Sequence, residues 1–351
     1  PSTPCVTEMT DTSTSERPGV NPKDGPAATN LESPLDVVQG LWARQRLDKA
    51  DTAAQAALAG SIGLSPAARE MLATWLACSA WIRDDVTRCR EFLLAGEGIR
   101  RRRPEELGSR VRQALRDYHV FLWRLLTLRR DQPEAYASDA APPPHVLPAL
   151  HVLGDSHCLS PAQTVVQFKG APHRVVPRLL MGCKAWHLAS PATNIHKETF
   201  RAALDSLPRG SATVAPVLIM LGEIDCRVEE GILPRHLEHG EDLDELVAAT
   251  VNGFVDFVAT ETAARGLEPV FYGVPAPNPA QYVHFPATTR RLFLELVRDF
   301  NQRLAQATAA RGFGFLDAHA ASVTEGLATD GRWHMDAWHT FPGFFGRVLD
   351  L

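Results

Sequence analysis

Residues 149–157 read ALHVLGDSH, an apolar run that stops at a glycine and continues with an acid, a hydroxyl and an imidazole. A short apolar run bounded by turn residues is typical of a buried strand. Three more such runs follow: VAPVLIML (214–221), PVFYGV (269–274) and GFGFL (312–316). The pattern therefore predicts buried strands throughout the second half of the chain.

Longer amphipathic stretches separate these runs and predict helices. Residues 243–265 place Leu243, Val247, Val251, Phe254 and Val258 on one helical face, and residues 288–311 do the same with Phe293, Val297, Phe300 and Leu304. Strands that alternate with helices predict an α/β fold with right-handed crossovers and a mostly parallel sheet covered on both faces. In such folds ligands bind beyond the carboxyl ends of the strands, where this sequence carries its polar residues.

The first part of the chain has a different texture. Residues 1–35 are rich in Ser, Thr, Pro and Asp, which predicts a disordered tail. In residues 36–130 the pattern is helical, and DKADTAAQAALAG (48–60) is echoed by DDVTRCREFLLAG (84–96), 36 residues later. Such a period resembles tetratricopeptide-like helical hairpins, although a chance likeness between two Ala- and Leu-rich helices is the alternative.

A Pro/Ala-rich segment, residues 131–147, separates this helical-repeat-like domain from the α/β domain of residues 148–351. Its run of three prolines favours an extended linker. Helical repeats commonly bind other proteins, so a protein partner of the domain formed by residues 36–130 is one expectation.

Composition limits the kinds of partner and compartment. The chain has 351 residues, 45% hydrophobic and 22% charged, with a net charge of −5, which argues against a nucleic-acid partner. No apolar run has the roughly 18–20 residues that a membrane span needs. Six scattered cysteines without a CxxC pair, and an N-terminus unlike a signal peptide, predict reduced thiols and a cytoplasmic location.

Three polar segments stand out: GDSH (154–157), GEIDCR (222–227) and DAWH (336–339). Cleavage of an ester through a covalent intermediate needs a hydroxyl, a base to activate it, and a carboxylate that orients the base. Ser156 supplies the hydroxyl and His339 the base, while Asp336 is close enough along the chain to orient that histidine. Backbone amides after Ser156 are available as donors to an oxyanion.

The order of these segments resembles the SGNH/GDSL hydrolase superfamily, over residues 148–351. The resemblance implies a flavodoxin-like parallel sheet and a catalytic triad of Ser156, Asp336 and His339. It also implies an oxyanion hole that uses the amide of Ser156 and that of a glycine in a further block. Gly182 in LLMGCKAWHL is the candidate for this glycine.

The GEID segment departs from that family, whose usual pattern is GxND with the Asn side chain as an oxyanion donor. Ile224 stands at the Asn position and cannot donate a hydrogen bond. Removing one such donor typically costs about 2.7–4 kcal/mol of transition-state stabilisation. The candidates for oxyanion or substrate contact are therefore Arg227, Glu223 and Asp225 of this segment, and the more distant Asn194. In the alternative interpretation, Arg227 pairs with Glu223 or Asp225 and holds the loop rigid.

Four neighbouring features have alternative interpretations. We expect His157 to pack or to hold a neighbouring group and Asp155 to fix the turn. Loop 275–286 is either one wall of the pocket or a plain surface loop. The segment DGRWHMDAWH could also form a metal cluster of Asp330, His334, Asp336 and His339, but we disfavour this interpretation and expect no metal or cofactor. In the alternative interpretation, His334 lines the pocket.

The sequence thus predicts a serine esterase or deacylase that acts on a small-molecule or carbohydrate ester. One alternative is an acyltransferase that uses the same triad with a hydroxyl acceptor in place of water. A catalytically weakened binding or scaffold protein, suggested by Ile224, is the other.

Overall fold

The computed structural model describes residues 33–60, 64–102, 110–133, 136, 146–208 and 215–350. Residues 1–32 of the predicted tail and most of the predicted linker at 131–147 lie outside this part. Ser33–Leu351 form one compact unit. Within the described part, every helix is too short or too polar to cross a lipid bilayer.

The N-terminal region is helical, with α1 (Pro34–Ala43), α2 (Leu47–Gly60), α3 (Pro66–Ile82), α4 (Val86–Arg102) and α5 (Arg110–Asp131). Ser33 begins α1 with a reciprocal capping box to Asp36, and Ser65 caps α3. Helix α1 packs on α2, α3 packs on α4, and α5 packs on both α3 and α4. The first echoed segment lies in α2, and the second lies in α4 except for Asp84 and Asp85, which precede that helix. These are the second helices of the packed pairs α1–α2 and α3–α4.

The sheet has strands β1 (Ala149–Gly154), β2 (Val165–Phe168), β3 (Ala171–Leu179), β4 (Ala215–Met220), β5 (Leu267–Tyr272) and β6 (Gly314–Leu316). Their order across the sheet is β2-β3-β1-β4-β5-β6. All pairs are parallel except β2–β3, which is an antiparallel hairpin. The prediction of an α/β fold with a mostly parallel sheet is confirmed. The four predicted apolar runs overlap β1, β4, β5 and β6, and β5 begins two residues before its run.

Strands β2 and β3 were not predicted because polar residues and proline interrupt their apolar runs. In β3 the sequence APHRVVPRL places His, Arg and Pro among the valines, and only alternate residues near its end are buried. Lys169 and Gly170 both have positive φ, the conformation of a tight two-residue hairpin turn. The turn therefore joins two strands that lack an uninterrupted apolar run.

The C-terminal half contains α6 (Ala185–Ala189), α7 (Ile195–Asp205), α8 (Glu223–Cys226), α9 (Ile232–His239), α10 (Leu243–Ala263), α11 (Ala287–Ala309), α12 (Ala318–Ser322) and α13 (Pro342–Leu349). Helices α10 and α11 are the two amphipathic helices predicted from their apolar faces.

Side chains that alternate along the strands fill two cores, one on each face of the sheet. Leu153, Ile219 and Phe271 belong to the core that contains residues of α7, α10 and α11. On the other face, Val152 and Leu218 share a core with α13 and with the N-terminal helices. The central strands are apolar on both faces because each face packs against a core. Helices α1–α5 form part of the layer that covers one face of the sheet.

Polar contacts add to this packing between the N-terminal helices and the sheet. The indole N–H of Trp81 donates to the Leu159 carbonyl over 3.0 Å, and the Gln163 amide donates to the Ile82 carbonyl over 2.7 Å. Gln45 donates to the carbonyl of Leu179, at the end of β3. The helical region is thus anchored at the edge of the sheet where β1 and β3 end.

Candidate active site

The turn after β1 presents Ser156 at the carboxyl edge of the sheet. Gly154 ends the strand where β4 approaches closely, since an added Cβ would lie 2.5 Å from the Met220 carbonyl oxygen. As predicted, Asp155 fixes the turn, because its carboxylate accepts from the His157 amide over 2.9 Å. A short 3-10 helix, Ser156–Leu159, follows, and Ser156 begins it with only 7% of its surface exposed.

Ser156, His339 and Asp336 form one hydrogen-bonded chain. The Nε2 atom of His339 lies 2.9 Å from the Ser156 hydroxyl oxygen. Its Nδ1 atom lies 3.0 Å from one carboxylate oxygen of Asp336 and 3.1 Å from the other. Because a carboxylate only accepts, Nδ1 carries the proton and Nε2 is free to accept the hydroxyl proton.

The loop that carries Asp336 and His339 is held by its own backbone. One oxygen of Asp336 accepts from the amides of Trp338 and His339, over 2.8 and 2.7 Å. Burial alone would raise the pKa of Asp336, but the electrostatic interaction with His339 and the hydrogen bonds from His339 and Trp338 hold this pKa well below the usual range. The carboxylate is therefore ionised at neutral pH and keeps the imidazole in one tautomer.

A second loop, which follows β5, supports the first. The side-chain amide of Asn278 donates to the Asp336 carbonyl over 3.1 Å, and that of Gln281 donates to the Ala337 carbonyl over 2.6 Å. Pro275, Pro277 and Gln281 of this loop also line a cleft with Trp338 and His334. The first part of loop 275–286 therefore forms one wall of a cleft next to the segment that carries Asp336 and His339, in agreement with the first of the two interpretations above.

His339 is enclosed by a helix from the N-terminal region. The ring of Phe121, on α5, stacks on the His339 imidazole. Arg124, one turn later, places Nη1 3.3 Å from the second Asp336 oxygen and donates to the Met335 carbonyl. Burial lowers the pKa of His339; Asp336 opposes this effect and His157 adds to it.

Arg227 pairs with two acids of its own segment. Its guanidinium donates to both oxygens of Glu223 at 2.7–3.1 Å and to Glu230 at 3.0 Å. It also lies over the Trp338 ring, with its central carbon 4.6 Å from the ring centroid. Arg227 thus ties the GEID segment together, as in the structural alternative considered above, with Glu223 and not Asp225 as its partner. It also packs against the loop that carries Asp336 and His339.

Asp225 connects the GEID segment to the Gly182 turn. Its two carboxylate oxygens accept from the amides of Ala185 and Trp186, over 2.8 and 2.9 Å. Burial raises the pKa of Asp225 to about 6, against the effect of these two amides. Gly182 lies just before them in an exposed turn with φ of +67°. Asp225 therefore positions the segment that carries the candidate oxyanion glycine.

The two remaining candidates differ in environment. Asn194 caps α7 by accepting from the Lys197 amide, and its side-chain amide donates to the His187 carbonyl over 2.8 Å. Its polar groups are engaged in local structure. Ile224 is buried and apolar, so its side chain offers no donor.

Two clusters of metal-ligating residue types occur in the described part of the chain: Asp155–His157–Glu223 and Cys183–His187–His196. In the first, Arg227 pairs with Glu223 and His157 hydrogen-bonds to Asp155. In the second, the two imidazole rings stack in parallel, 3.9 Å apart, so their in-plane lone pairs do not converge on one ion. Neither cluster has the geometry of a preformed metal site.

Sequence reasoning missed Phe121 and Arg124, because nothing in an amphipathic helix identifies which of its residues meets a loop far along the chain. Trp338 lies within the DAWH segment that the sequence singled out, but its role could not be predicted from the sequence. No protein-family model matches this chain, and no curated protein matches it.

Proposed function

We propose that this protein is a serine hydrolase of the SGNH/GDSL type, an esterase or deacylase acting on a small-molecule or carbohydrate ester. The observation that carries the proposal is the position of His339, with Nε2 2.9 Å from the Ser156 hydroxyl and Nδ1 3.0 Å from Asp336. A nucleophile within reach of a base that is itself oriented by a carboxylate is the signature of acyl transfer to serine.

The reaction follows from this geometry. Nε2 of His339 accepts the proton of the Ser156 hydroxyl as its oxygen bonds to the ester carbonyl carbon. The imidazolium that forms is stabilised by Asp336 and returns the proton to the leaving alcohol. Water then attacks the acyl-enzyme, with His339 as the base, and releases the acid and free Ser156.

The oxyanion that develops on the ester needs donors near Ser156. The amides of Ser156 and Gly182 are the proposed donors, the second on the turn that Asp225 positions. Ile224 contributes none, and Arg227 is committed to Glu223 and Glu230. With one donor fewer than the GxND pattern provides, we expect turnover to be slow, since each such donor is worth about 10²–10³ in kcat.

The strand order supports the family assignment. Without the antiparallel β2, the order is β3-β1-β4-β5-β6, so the first parallel strand lies between the second and the third. This is the flavodoxin-like order 2-1-3-4-5, whose ligands bind at the carboxyl ends near the point where the order reverses. Ser156 follows β1, which lies at that point.

Acyl transfer to a hydroxyl acceptor is the second candidate. Ser156 and His339 are only 7% and 5% exposed, and Phe121 covers the imidazole. A covered acyl-enzyme excludes water and favours attack by a bound alcohol. Competition between water and added alcohols for a preformed acyl-enzyme separates this candidate from the esterase.

A fluorophosphonate probe tests the proposed nucleophile. We expect a single adduct on Ser156 in the folded protein, and loss of labelling in Ser156→Ala and in His339→Gln. Ser160→Ala is the matched control, because Ser160 is also buried and lies just past the 3-10 helix, away from the imidazole. Folded protein that leaves Ser156 unlabelled would overturn the proposal and favour a binding protein.

A further inference from the structure

His157 lies between two hydrogen-bond acceptors. Its Nδ1 atom is 2.9 Å from an Asp155 carboxylate oxygen, and its Nε2 atom is 3.1 Å from the Trp338 carbonyl oxygen. Neither acceptor can supply a proton, so both ring nitrogens must donate, and only the imidazolium has two N–H groups. Burial alone would raise the pKa of Asp155, but the charge and hydrogen bonds of His157 lower it, so the carboxyl is ionised. With Asp155 ionised, the hydrogen-bond geometry requires a charged ring.

The surroundings suit a buried cation. His157 is 6% exposed, and Glu223 places a carboxylate oxygen 3.8 Å from Nε2. The cationic Arg227 acts in the other direction and lowers the pKa of His157, and His157 in turn lowers the pKa of His339. The ionisable groups that influence the ring or are influenced by it, from every element around it, are Asp155, Glu223, Arg227, His334 and His339. The two carboxylates nearest the ring compensate its charge.

We propose that His157 is a positioning residue, a buried imidazolium that joins the nucleophile turn to the loop of the catalytic base. One of its hydrogen bonds ends on Asp155, which also caps the turn of Ser156. The other ends on Trp338, directly before His339. The inference rests on the proposed function, since it assigns His157 the task of keeping Ser156 and His339 in reach of each other.

The positive charge of His157 also acts on His339, the proposed base. The rings of His157 and His339 have centroids 4.7 Å apart, so a charge on one disfavours a charge on the other. His157 keeps both ring protons, one donated to Asp155 and one to the Trp338 carbonyl. Its positive charge therefore keeps His339 neutral. Neutral His339 is the form that accepts the proton of Ser156.

The direction of the pH effect follows. Burial alone would lower the pKa of His157, but Asp155, Glu223 and the hydrogen bond to Asp155 raise it from 6.5 to about 9. Because the folded pKa exceeds the unfolded value, the stabilisation is complete below pH 6.5 and is lost as the pH rises through about 9. The bond to Trp338 breaks over the same range when Nε2 loses its proton.

Nuclear magnetic resonance of the wild-type protein, labelled with ¹⁵N in its histidines, tests the charge without any activity. We expect one histidine to keep two protonated ring nitrogens at pH 8 and to lose one of them near pH 9. The spectrum of His157→Gln identifies it, because that signal alone disappears. A neutral His157 ring at pH 7 would overturn the inference.

Kinetics of the labelling reaction, or of ester hydrolysis, test the positioning. In His157→Gln we expect kcat to fall about 10²-fold with KM little changed, the effect of a small misplacement of reacting groups. The acid limb of the pH profile moves to higher pH, because the charge that disfavours protonation of His339 is gone. His157→Lys keeps a positive charge and hydrogen-bond donors. We expect it to recover part of the wild-type rate and to move the acid limb of the pH profile back toward its wild-type position.

His151→Gln is the matched control, since His151 lies on β1 and burial lowers its pKa to about 4, which keeps it neutral. We expect its pH profile to match the wild type. A His157→Gln protein with the wild-type rate and acid limb would contradict the positioning role. If Ser156 is unlabelled while His157 is doubly protonated, the proposed function fails and the buried imidazolium stands.

Discussion

The phenyl ring of Phe121 lies almost parallel to the imidazole of His339, with ring centroids 3.7 Å apart and an angle of 18° between the planes. Phe121 belongs to α5 in the N-terminal region, whereas His339 belongs to the loop before α13. The contact leaves the imidazole no room to tilt, because Ser156 and Asp336 hold its edges and Phe121 holds its face. The N-terminal helices therefore form part of the candidate active site.

Phe121→Leu removes this flat contact at nearly constant volume. We expect labelling of Ser156 to slow by about tenfold, because a mobile imidazole is less often aligned. The loss of folding free energy should be only about 1 kcal/mol. Labelling rate and thermal unfolding measure the two effects.

Phe168→Leu is the control for Phe121→Leu, since Phe168 is buried in the same core but lies on β2. It should lose similar stability and keep the wild-type labelling rate. Equal rates in the two variants would show that Phe121 serves packing alone.

Asp225→Asn tests the link between the GEID segment and the Gly182 turn. An amide NH₂ group would face the amide of Ala185 or Trp186, where the carboxylate now accepts at 2.8 and 2.9 Å. One buried donor is left unpaired, which costs about 1–3 kcal/mol. We expect lower stability and slower labelling of Ser156.

Asp242→Asn provides the comparison, because Asp242 caps α10 by accepting a single amide and Asn caps a helix equally well. Stability and labelling should remain at the wild-type level. An Asp225→Asn variant as stable and as reactive as Asp242→Asn would contradict the proposed link.

Gly222→Ala tests the backbone at the start of the GEID segment. Gly222 has φ of +118°, and an added Cβ would lie 2.6 Å from the Phe300 ring. The left-handed conformation and the clash together predict a loss of more than about 2 kcal/mol in the free energy of unfolding. Denaturant unfolding measures this loss.

Gly343→Ala, in α13, serves as the reference, because its Cβ would meet no atom within 4 Å. It should be neutral or stabilising by up to about 1 kcal/mol. If Gly222→Ala is equally harmless, the segment adopts another backbone conformation.

The pH dependence of Ser156 labelling reports on His339. Burial lowers the pKa of His339 below 6.5, with Asp336 opposing and His157 adding to that effect. A lowered folded pKa means that the neutral base persists, and its contribution to stability is kept, until the pH falls below 6.5. We expect the acid limb of the labelling rate, measured with an uncharged probe, to lie below that pH. A limb above it would mean that His339 is not buried beside His157.

The sequence by itself predicts those parts that depend on local interactions. Apolar runs predict β1, β4, β5 and β6, and helical periodicity predicts α10 and α11, because burial of a strand or helix face leaves a pattern along the chain. The cap that Asp155 makes and the pairing of Asp336 with His339 are also local, since each joins residues at most three positions apart. Resemblance in the order of three short segments then suggested the triad.

Only the tertiary structure brings the hydroxyl of Ser156 to Nε2 of His339, because the two residues are 183 positions apart along the chain. The stacking of Phe121 on His339 was decided in the same way. Arg227 pairs with Glu223 four residues away and Asn194 caps α7 three residues away, so these two contacts are local, and the structure selects them among the alternatives that the sequence left open. The physical reason for the two long-range contacts is that each depends on which faces of distant elements are buried together. A pattern along the chain indicates that a face is buried. The packing of the whole fold determines which other residues that face contacts.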